Sequence, residues 1–305
     1  MTVVRDLAGW PPGPLHLAVG VFDGVHRGHQ ALIGGLARDA HAAGATAVAA
    51  TFDPLPIDLL APGAPPSALS DAAERAELLR RAGADAVVVF TFDAAFASLS
   101  STEFADRLAA AGQVRRIVVG SDFRFGKGRQ GDVAHLEELG RTRGFDVRVV
   151  HPIELDGAVV SSTRIRNALA AGHVEDAARL LGRPYAVPGR VEHGEKRGRG
   201  LGYPTLNIAT PPRRLLPNDG IYAMWVSARG ERLPAAASLG VRPTFGGGAR
   251  VLEAYLLDWS GDLYGEHVEA AFVRRIRDEA YFEGPEALAA QIAKDVEATR
   301  AALSR

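Results

Sequence analysis

Two histidines three positions apart, set among glycines, are the first residues of the chain with a clear chemical use. The stretch Gly20-Val21-Phe22-Asp23-Gly24-Val25-His26-Arg27-Gly28-His29 follows an apolar run, Leu17-Ala18-Val19, and passes into helical spacing from Gln30. It predicts a buried strand, a glycine-rich turn and a helix start. Glycine lets backbone approach a ligand closely. The first turn of a helix presents N–H groups without intrahelical partners at the positive end of the dipole, so an anion is the expected ligand. Each imidazole can donate a hydrogen bond to a phosphate oxygen and becomes a cation on protonation. Other uses fit less well. No lysine-bearing P-loop occurs, since Gly126-Lys127-Gly128 lacks the Ser or Thr, and no dinucleotide fingerprint is present. A zinc pair would want a Glu after the first His, and no Cys exists to complete the site. The plain alternative is an ordinary turn with two surface histidines.

Three further stretches carry chemical groups. Gly120-Ser121-Asp122-Phe123-Arg124-Phe125-Gly126-Lys127-Gly128 places two aromatics and two cations in a loop. Its phenylalanines either pack locally or hold something flat. Ser161-Ser162-Thr163-Arg164-Ile165-Arg166 opens a helix. Capping explains the hydroxyls, and phosphate binding explains the arginines as well, so both readings stand. Gly194-Glu195-Lys196-Arg197-Gly198-Arg199-Gly200-Leu201-Gly202-Tyr203-Pro204-Thr205-Leu206-Asn207 puts glycines and cations before Pro-Thr-x-Asn. Such a loop can wrap phosphates through backbone N–H groups, and Thr and Asn oxygens suit a Mg²⁺ ion that keeps its waters. A mobile basic loop before a strand is the alternative.

The elements that must position these groups differ between the two halves. Thr46–Phe52, Ala86–Phe90, Arg116–Gly120 and Val147–Val150 are strands that alternate with helices: Ala31, Leu32, Leu36 and Ala40 on one, a capping-box start at Asp71 and Glu74, another at Ser100 and Glu103, and Val133–Arg143. A Pro-rich loop is expected from Asp53-Pro54 to Ser67. The pattern is that of a parallel sheet with helices on both faces, which binds ligands beyond the carboxyl ends of its strands. The opening turn, Thr51-Phe52-Asp53-Pro54 and the loop from Gly120 all lie at such ends. After a short helix from Gly172 to Leu181, Gly182-Arg183-Pro184 breaks the pattern, and the domains are read as 1–182 and 183–305. Beyond it, six short β-rich runs predict a small antiparallel barrel, closed by a helix with Leu288, Ile292 and Val296 on one face.

Composition narrows the class. The 305 residues are 47% hydrophobic and carry a formal net charge of −1, ample for two cores and without the basic surface that nucleic acid requires. Cys is absent, which excludes disulfides and a Cys nucleophile. No signal core and no membrane-length apolar run is found, so a cytoplasmic enzyme without a nucleic-acid or membrane partner is expected. An assembly of identical chains stays open.

Gly20-x-Phe22-Asp23-Gly24-x-His26-x-Gly28-His29, the Asp122-Phe123-x-Phe125-Gly126 run, Ser161-Ser162-Thr163-x-Ile165-Arg166 and Gly202-Tyr203-Pro204-Thr205-x-Asn207 together resemble the bacterial bifunctional riboflavin kinase/FMN adenylyltransferases, or FAD synthetases. Gly220-Ile221-Tyr222, Leu252-Glu253-Ala254 and Arg277-x-Glu279-x-x-Phe282 extend the likeness nearly to the end. It implies a Rossmann-like nucleotidyltransferase domain followed by a kinase barrel, with ATP, riboflavin, FMN and FAD as substrates and products and Mg²⁺ as cofactor. It implies catalytic roles for His26, His29 and Arg166 in adenylylation, and for Glu253 as the base in riboflavin phosphorylation. Phosphate or ATP contacts would come from Gly20, Phe22, Asp23, Gly24, Gly28, Ser161, Ser162 and Thr163. In the second half they would come from Gly194, Lys196, Arg199, Gly202 and Pro204. Flavin contacts would come from Asp122, Phe123, Phe125 and Arg277, and metal contacts from Thr205 and Asn207. Departures from the family pattern stand at Leu55, Leu206, Ser238 and Tyr255. Two rivals are a monofunctional adenylyltransferase with a non-catalytic second module, and a flavin-binding regulator.

Overall fold

The computed structural model describes residues 3–5, 7, 10, 13–110, 113–193, 202–241 and 250–304. Gly194, Lys196 and Arg199 of the glycine-rich basic loop lie outside the described residues. The chain divides into two compact units, Met1–Ser162 and Thr163–Arg305.

In the first unit six parallel strands are ordered β1-β4-β3-β2-β5-β6. They are β1 (Val3–Val4), β2 (Leu15–Val19), β3 (Thr46–Asp53), β4 (Ala86–Thr91), β5 (Val114–Gly120) and β6 (Asp146–Val150). Alternation along the strands sends residues to two cores of different texture. One face carries Ala18, Ala47 and Ala49, and these small side chains let Leu32, Ile33 and Leu36 of α1 (Arg27–Ala42) and Leu79 of α3 (Ala72–Arg81) pack close. The other face carries Leu17, Val19, Phe90 and Ile117 under Phe96, Phe104 and Leu136. The predicted caps form: Asp71 accepts from the Glu74 N–H, and Ser100 with Glu103 closes a full capping box on α5 (Ser101–Ala109). Helix α6 spans Val133–Arg143 as expected.

Two details depart from the expectation. Ala31 is exposed, and Ile33 takes the buried place beside Leu32. The Pro-rich loop contains a short helix, α2 (Pro56–Leu60), begun by proline at its first position. Between the division at Ser162 and the boundary read at 182 lie α7 (Ser162–Ala170) and α8 (Val174–Leu181), the latter packed on residues 185–192 and 267–277 of the second unit.

The second unit is the predicted closed antiparallel barrel, ordered β10-β13-β12-β11-β14-β9. Its strands are β9 (Tyr185–Glu192), β10 (Thr205–Ala209), β11 (Gly220–Ala228), β12 (Glu231–Val241), β13 (Arg250–Leu256) and β14 (His267–Arg277). Val187, Tyr222, Met224, Leu239, Leu252, Ala254 and Phe272 are almost fully buried and belong to the apolar phase of each strand. The alternate phase faces outward, where α9 (Pro285–Leu303) lies over β11, β12 and β14.

One ion pair ties that helix down. The Arg277 guanidinium donates from Nε to Asp295 Oδ1 at 2.9 Å and from Nη2 to Oδ2 at 2.7 Å, and Gln291 donates to the same carboxylate at 2.9 Å. Asp295 is buried at 5% exposure. Truncating one partner strands the other in a poorly hydrated site. Asp295→Ala is expected to lower the stability of the second unit by about 2–4 kcal/mol. Urea denaturation followed by Trp225 and Trp259 fluorescence checks it.

Candidate functional site

The strand order of the first unit reverses at β2: β3 and β4 lie on one side, β5 and β6 on the other. A crevice opens beyond the carboxyl ends of strands at such a reversal. Both the Gly20–His29 turn and the loop from Gly120 leave from there. Gly20 keeps one bond to the sheet, N–H to Ala50 O at 3.1 Å, and the chain then winds tightly. Phe22, Gly24 and Val25 have φ of 51°, 77° and 40°. Left-handed backbone at a non-glycine residue costs on the order of 1–3 kcal/mol and persists only where the surroundings hold it. The Phe22 ring is buried, and a Cβ at Gly20 would lie 2.9 Å from it, so only glycine fits there. A Cβ at Gly28 would press on the His26 ring at 3.1 Å.

His26 caps α1, its Nδ1 accepting from the backbone N–H of His29 at 3.4 Å. Acceptance at Nδ1 puts the proton of the neutral ring on Nε2. The His29 ring stacks on His26 at 3.6 Å and 19°, and meets Phe22 edge-on at 5.2 Å. Burial, and then the neighbouring His26, hold the His29 pKa well below its ordinary value. His29 is therefore a neutral imidazole at neutral pH, a hydrogen-bond donor rather than the cation its type suggests. Its Nδ1 is buried without a partner.

Other expected residues are placed differently. Asp23 is turned inward, not toward a phosphate: at 1% exposure its carboxylate accepts from the Leu69 N–H at 3.0 and 3.1 Å and the Ser70 N–H at 3.0 Å. Ser162 donates to the Asp23 carbonyl at 2.9 Å, which ties the start of α7 to the turn. Ser161 precedes it, half-buried. Thr163 and Arg166 belong to the second unit. Of the two readings of the phenylalanine loop, Phe125 follows local packing. It is buried in the core, stacked on Phe123 at 5.5 Å and paired through its backbone with Gly131. Phe123 is half-buried and Asp122 exposed, which leaves these two able to meet a ligand. Leu55 is buried at 4%, an apolar packing residue. Thr51, already placed at a strand end by the sequence, is fully buried around this turn; Ser70 and Arg75, buried beside it, went unnoticed because neither belongs to a recognisable spacing.

In the second unit, register brings the reactive groups together. Asn207 of β10 and Ser238 of β12 both lie opposite Glu253 of β13, and Thr205 lies opposite Tyr255. All five belong to the outward phase. Thr205 donates to Glu253 Oε2 at 3.2 Å. Thr205, Ser238, Glu253 and Tyr255 edge a cleft of about 530 Å³ between the sheet and α9, whose apolar wall includes Tyr203, Tyr255, Phe282, Leu288 and Ile292. Arg277 lines it too, but its guanidinium is engaged by Asp295 and lies over the Phe282 ring at 5.5 Å. It therefore supports the wall of the cleft in which its flavin contact is expected. Tyr203 and Tyr255 meet edge to face at 5.2 Å. Gly202 (φ 83°) and Pro204 are exposed just before β10.

A hard cation has suitable donors here. The Thr205 hydroxyl spends its hydrogen on Glu253, which leaves oxygen lone pairs, and Asn207 and Glu253 add an amide and a carboxylate oxygen. Oxygen donors in small number are what Mg²⁺ takes when phosphates and waters complete its shell.

Comparison with known proteins gives matches in both halves. Residues 12–164 match the family described as FAD synthetase, and residues 181–303 the family described as riboflavin kinase. A bifunctional riboflavin kinase/FMN adenylyltransferase of Pseudomonas fluorescens is 42% identical over 285 residues, 93% of this chain and 91% of its own. One from Escherichia coli K12 is 39% identical over 294 residues, 96% and 94%. A solved structure described as a macrolide-efflux protein from Streptococcus pneumoniae superposes with TM-score 0.89 at 33% identity, covering 98% of each chain. Among the described residues no helix is long and apolar enough to cross a membrane.

The neutral state of His29 sets a pH dependence. In the unfolded chain the ring takes up a proton near pH 6.5, whereas in the folded turn it does so only well below that. Between those values the unfolded state binds more protons, so stability falls as pH falls. The urea midpoint of the first unit is expected to drop from pH 7 to pH 5, with a shallower drop in His29→Asn.

Proposed function

Since this chain belongs to the family of bifunctional riboflavin kinase/FMN adenylyltransferases, we infer that His26 and His29 of the first unit serve adenylylation and that Glu253 and Thr205 of the second serve riboflavin phosphorylation. The chain phosphorylates riboflavin to FMN with ATP, and adenylylates FMN to FAD with release of pyrophosphate. The observation that carries the residue-level reading is the place each motif takes in its own sheet. The stacked histidines stand where strand order reverses, and Glu253 with Thr205 stands at the edge of the barrel cleft.

In the barrel, Glu253 accepts the proton of the riboflavin 5′-hydroxyl as that oxygen attacks the γ-phosphorus of ATP and ADP leaves. The Thr205 bond orients the carboxylate for this. The cleft between sheet and α9 suits a flat ring, and Tyr203, Tyr255 and Phe282 keep water from it. Thr205, Asn207 and Glu253 would hold Mg²⁺, which would supply charge neutralisation on the phosphates. Phosphoryl transfer needs mainly such positioning and neutralisation.

In the first unit, an FMN phosphate oxygen attacks the α-phosphorus of a second ATP. The nucleophile is already an anion, so no strong base is needed. His26, with its proton on Nε2, and neutral His29 donate hydrogen bonds as charge builds on the transferring phosphate and the pyrophosphate. Backbone N–H groups at the start of α1 add to this. Arg166 is carried as a phosphate ligand on the strength of its motif. ATP as the shared co-substrate accords with a cytoplasmic setting.

Incubation with riboflavin, ATP and Mg²⁺ should give FMN first and FAD later. His29→Ala should accumulate FMN, with FAD formation slowed on the order of 10²–10³-fold. Glu253→Gln should make no FMN yet still convert supplied FMN to FAD. Chromatographic separation of the flavins reads all three. Near-parental FAD formation in His29→Ala would sink the histidine assignment, and near-parental FMN formation in Glu253→Gln the other.

A further inference from the structure

The reactive turn of the first unit is held by a fully buried polar clamp that makes no part of the motif. Its hub is Ser70, 1% exposed, just before the cap of α3. The Ser70 hydroxyl accepts from the Gly24 N–H at 2.9 Å and donates to Asp23 Oδ1 at 3.2 Å, while its own N–H donates to the same oxygen at 3.0 Å. One residue thus fixes both ends of the Asp23–Gly24 peptide. Arg75, also 1% exposed, pins the clamp in turn: Nη2 donates to Phe52 O at 2.6 Å and Nη1 to Ser70 O at 3.3 Å. Phe52 lies at the end of β3, beside Thr51, whose hydroxyl donates to Val21 O at 2.9 Å. The turn is therefore gripped at Val21, Asp23 and Gly24 from the end of β3 and the start of α3.

This arrangement costs more than a merely structural filling would. A guanidinium fully removed from water is expensive even with acceptors, and an apolar side chain of like volume would stabilise the fold as well or better. What the polar clamp supplies is a fixed backbone course through two left-handed non-glycine residues, Phe22 and Val25, on either side of Asp23. The course of that backbone decides where the His26 ring sits, and with it the His29 ring stacked upon it.

We propose that Ser70 and Arg75 are positioning residues for adenylyl transfer, holding the 22–26 turn through Asp23 so that His26 and His29 are aimed at the transferring phosphate. The proposal rests on the assignment of adenylylation to the first unit. Neither residue is placed against substrate, and neither is used by the kinase reaction. That gives an internal control, since the same chain carries a second activity in another compact unit.

The test uses the full chain. Ser70→Ala should lower kcat for FMN adenylylation by about 10- to 100-fold, the range that a misplacement near 1 Å produces, with a smaller change in KM for ATP. Riboflavin phosphorylation by the same sample should stay at the parental rate. Ser70→Thr, which keeps the hydroxyl, should restore most of the lost kcat. Each variant is assayed well below its own unfolding midpoint, so lost fold and lost aim are separated. Should Ser70→Ala fail to fold, Arg75→Lys, which keeps the charge but not the two-carbonyl grip, carries the same expectation of lowered kcat. Adenylylation within twofold of the parent in the folded variant overturns the proposal, as does an equal fall in both activities. His29→Ala is run beside them. If it too retains adenylylation, the assignment of the histidines fails rather than that of the clamp alone.

Discussion

A carboxylate out of water needs donors, and Asp23 finds them in the backbone of Leu69 and Ser70. Much of the first unit's reactive edge depends on that demand being met. It draws the start of α3 against the turn after β2 and fixes the turn in a course its own residues do not prefer. Binding anions at a helix start is a general property of backbone. Presenting two stacked imidazoles there is specific, and it needs a turn that does not relax.

The barrel solves positioning by the opposite route. Its interior is filled by apolar side chains, and the candidate site residues stand on the outward phase of β10, β12 and β13. Antiparallel register then sets Asn207, Glu253 and Ser238 in a row, with Thr205 bonded to Glu253. Helix α9 turns this open face into a cleft, and the Arg277–Asp295 pair keeps the helix there. The first unit holds its site with a strained turn and a buried clamp, the second with regular strands and a roof.

Both folds were legible in the sequence because each has a strong period. Continuous apolar strands alternate with helices in one half, and short alternating strands follow one another in the other. The caps at Asp71 and Ser100 were equally plain, since a cap is a local bond between residues three apart. The site was legible as far as its motifs reach. What could not be read is what depends on partners far along the chain. Nothing near Asp23 says that residues 69 and 70 will take its carboxylate. Phe125 reads like a ligand platform until the core that receives it is assembled from Phe104 and Phe123. Arg277 is expected as a flavin contact, but nothing near it says that Asp295, eighteen residues on, will also pair with it. The domain break read at 182 lies close to the start of the riboflavin kinase match at 181, while the division into compact units comes earlier, at Ser162. Gly182-Arg183-Pro184 ends a helix, but a helix can end within a unit, and α8 belongs to the barrel it packs upon.

The sheet borders have a consequence for how the chain behaves at high concentration. Open strands invite pairing with other molecules, and cells hold nascent and refolding chains close together. The barrel offers no such border, being closed. The first sheet has two: β1, only two residues long, and β6, which carries Asp146 and Arg148. A short strand gives little length to copy, and charged residues on the other resist burial against a stranger's backbone. Resistance to aggregation is thus built into both units by geometry and charge placement.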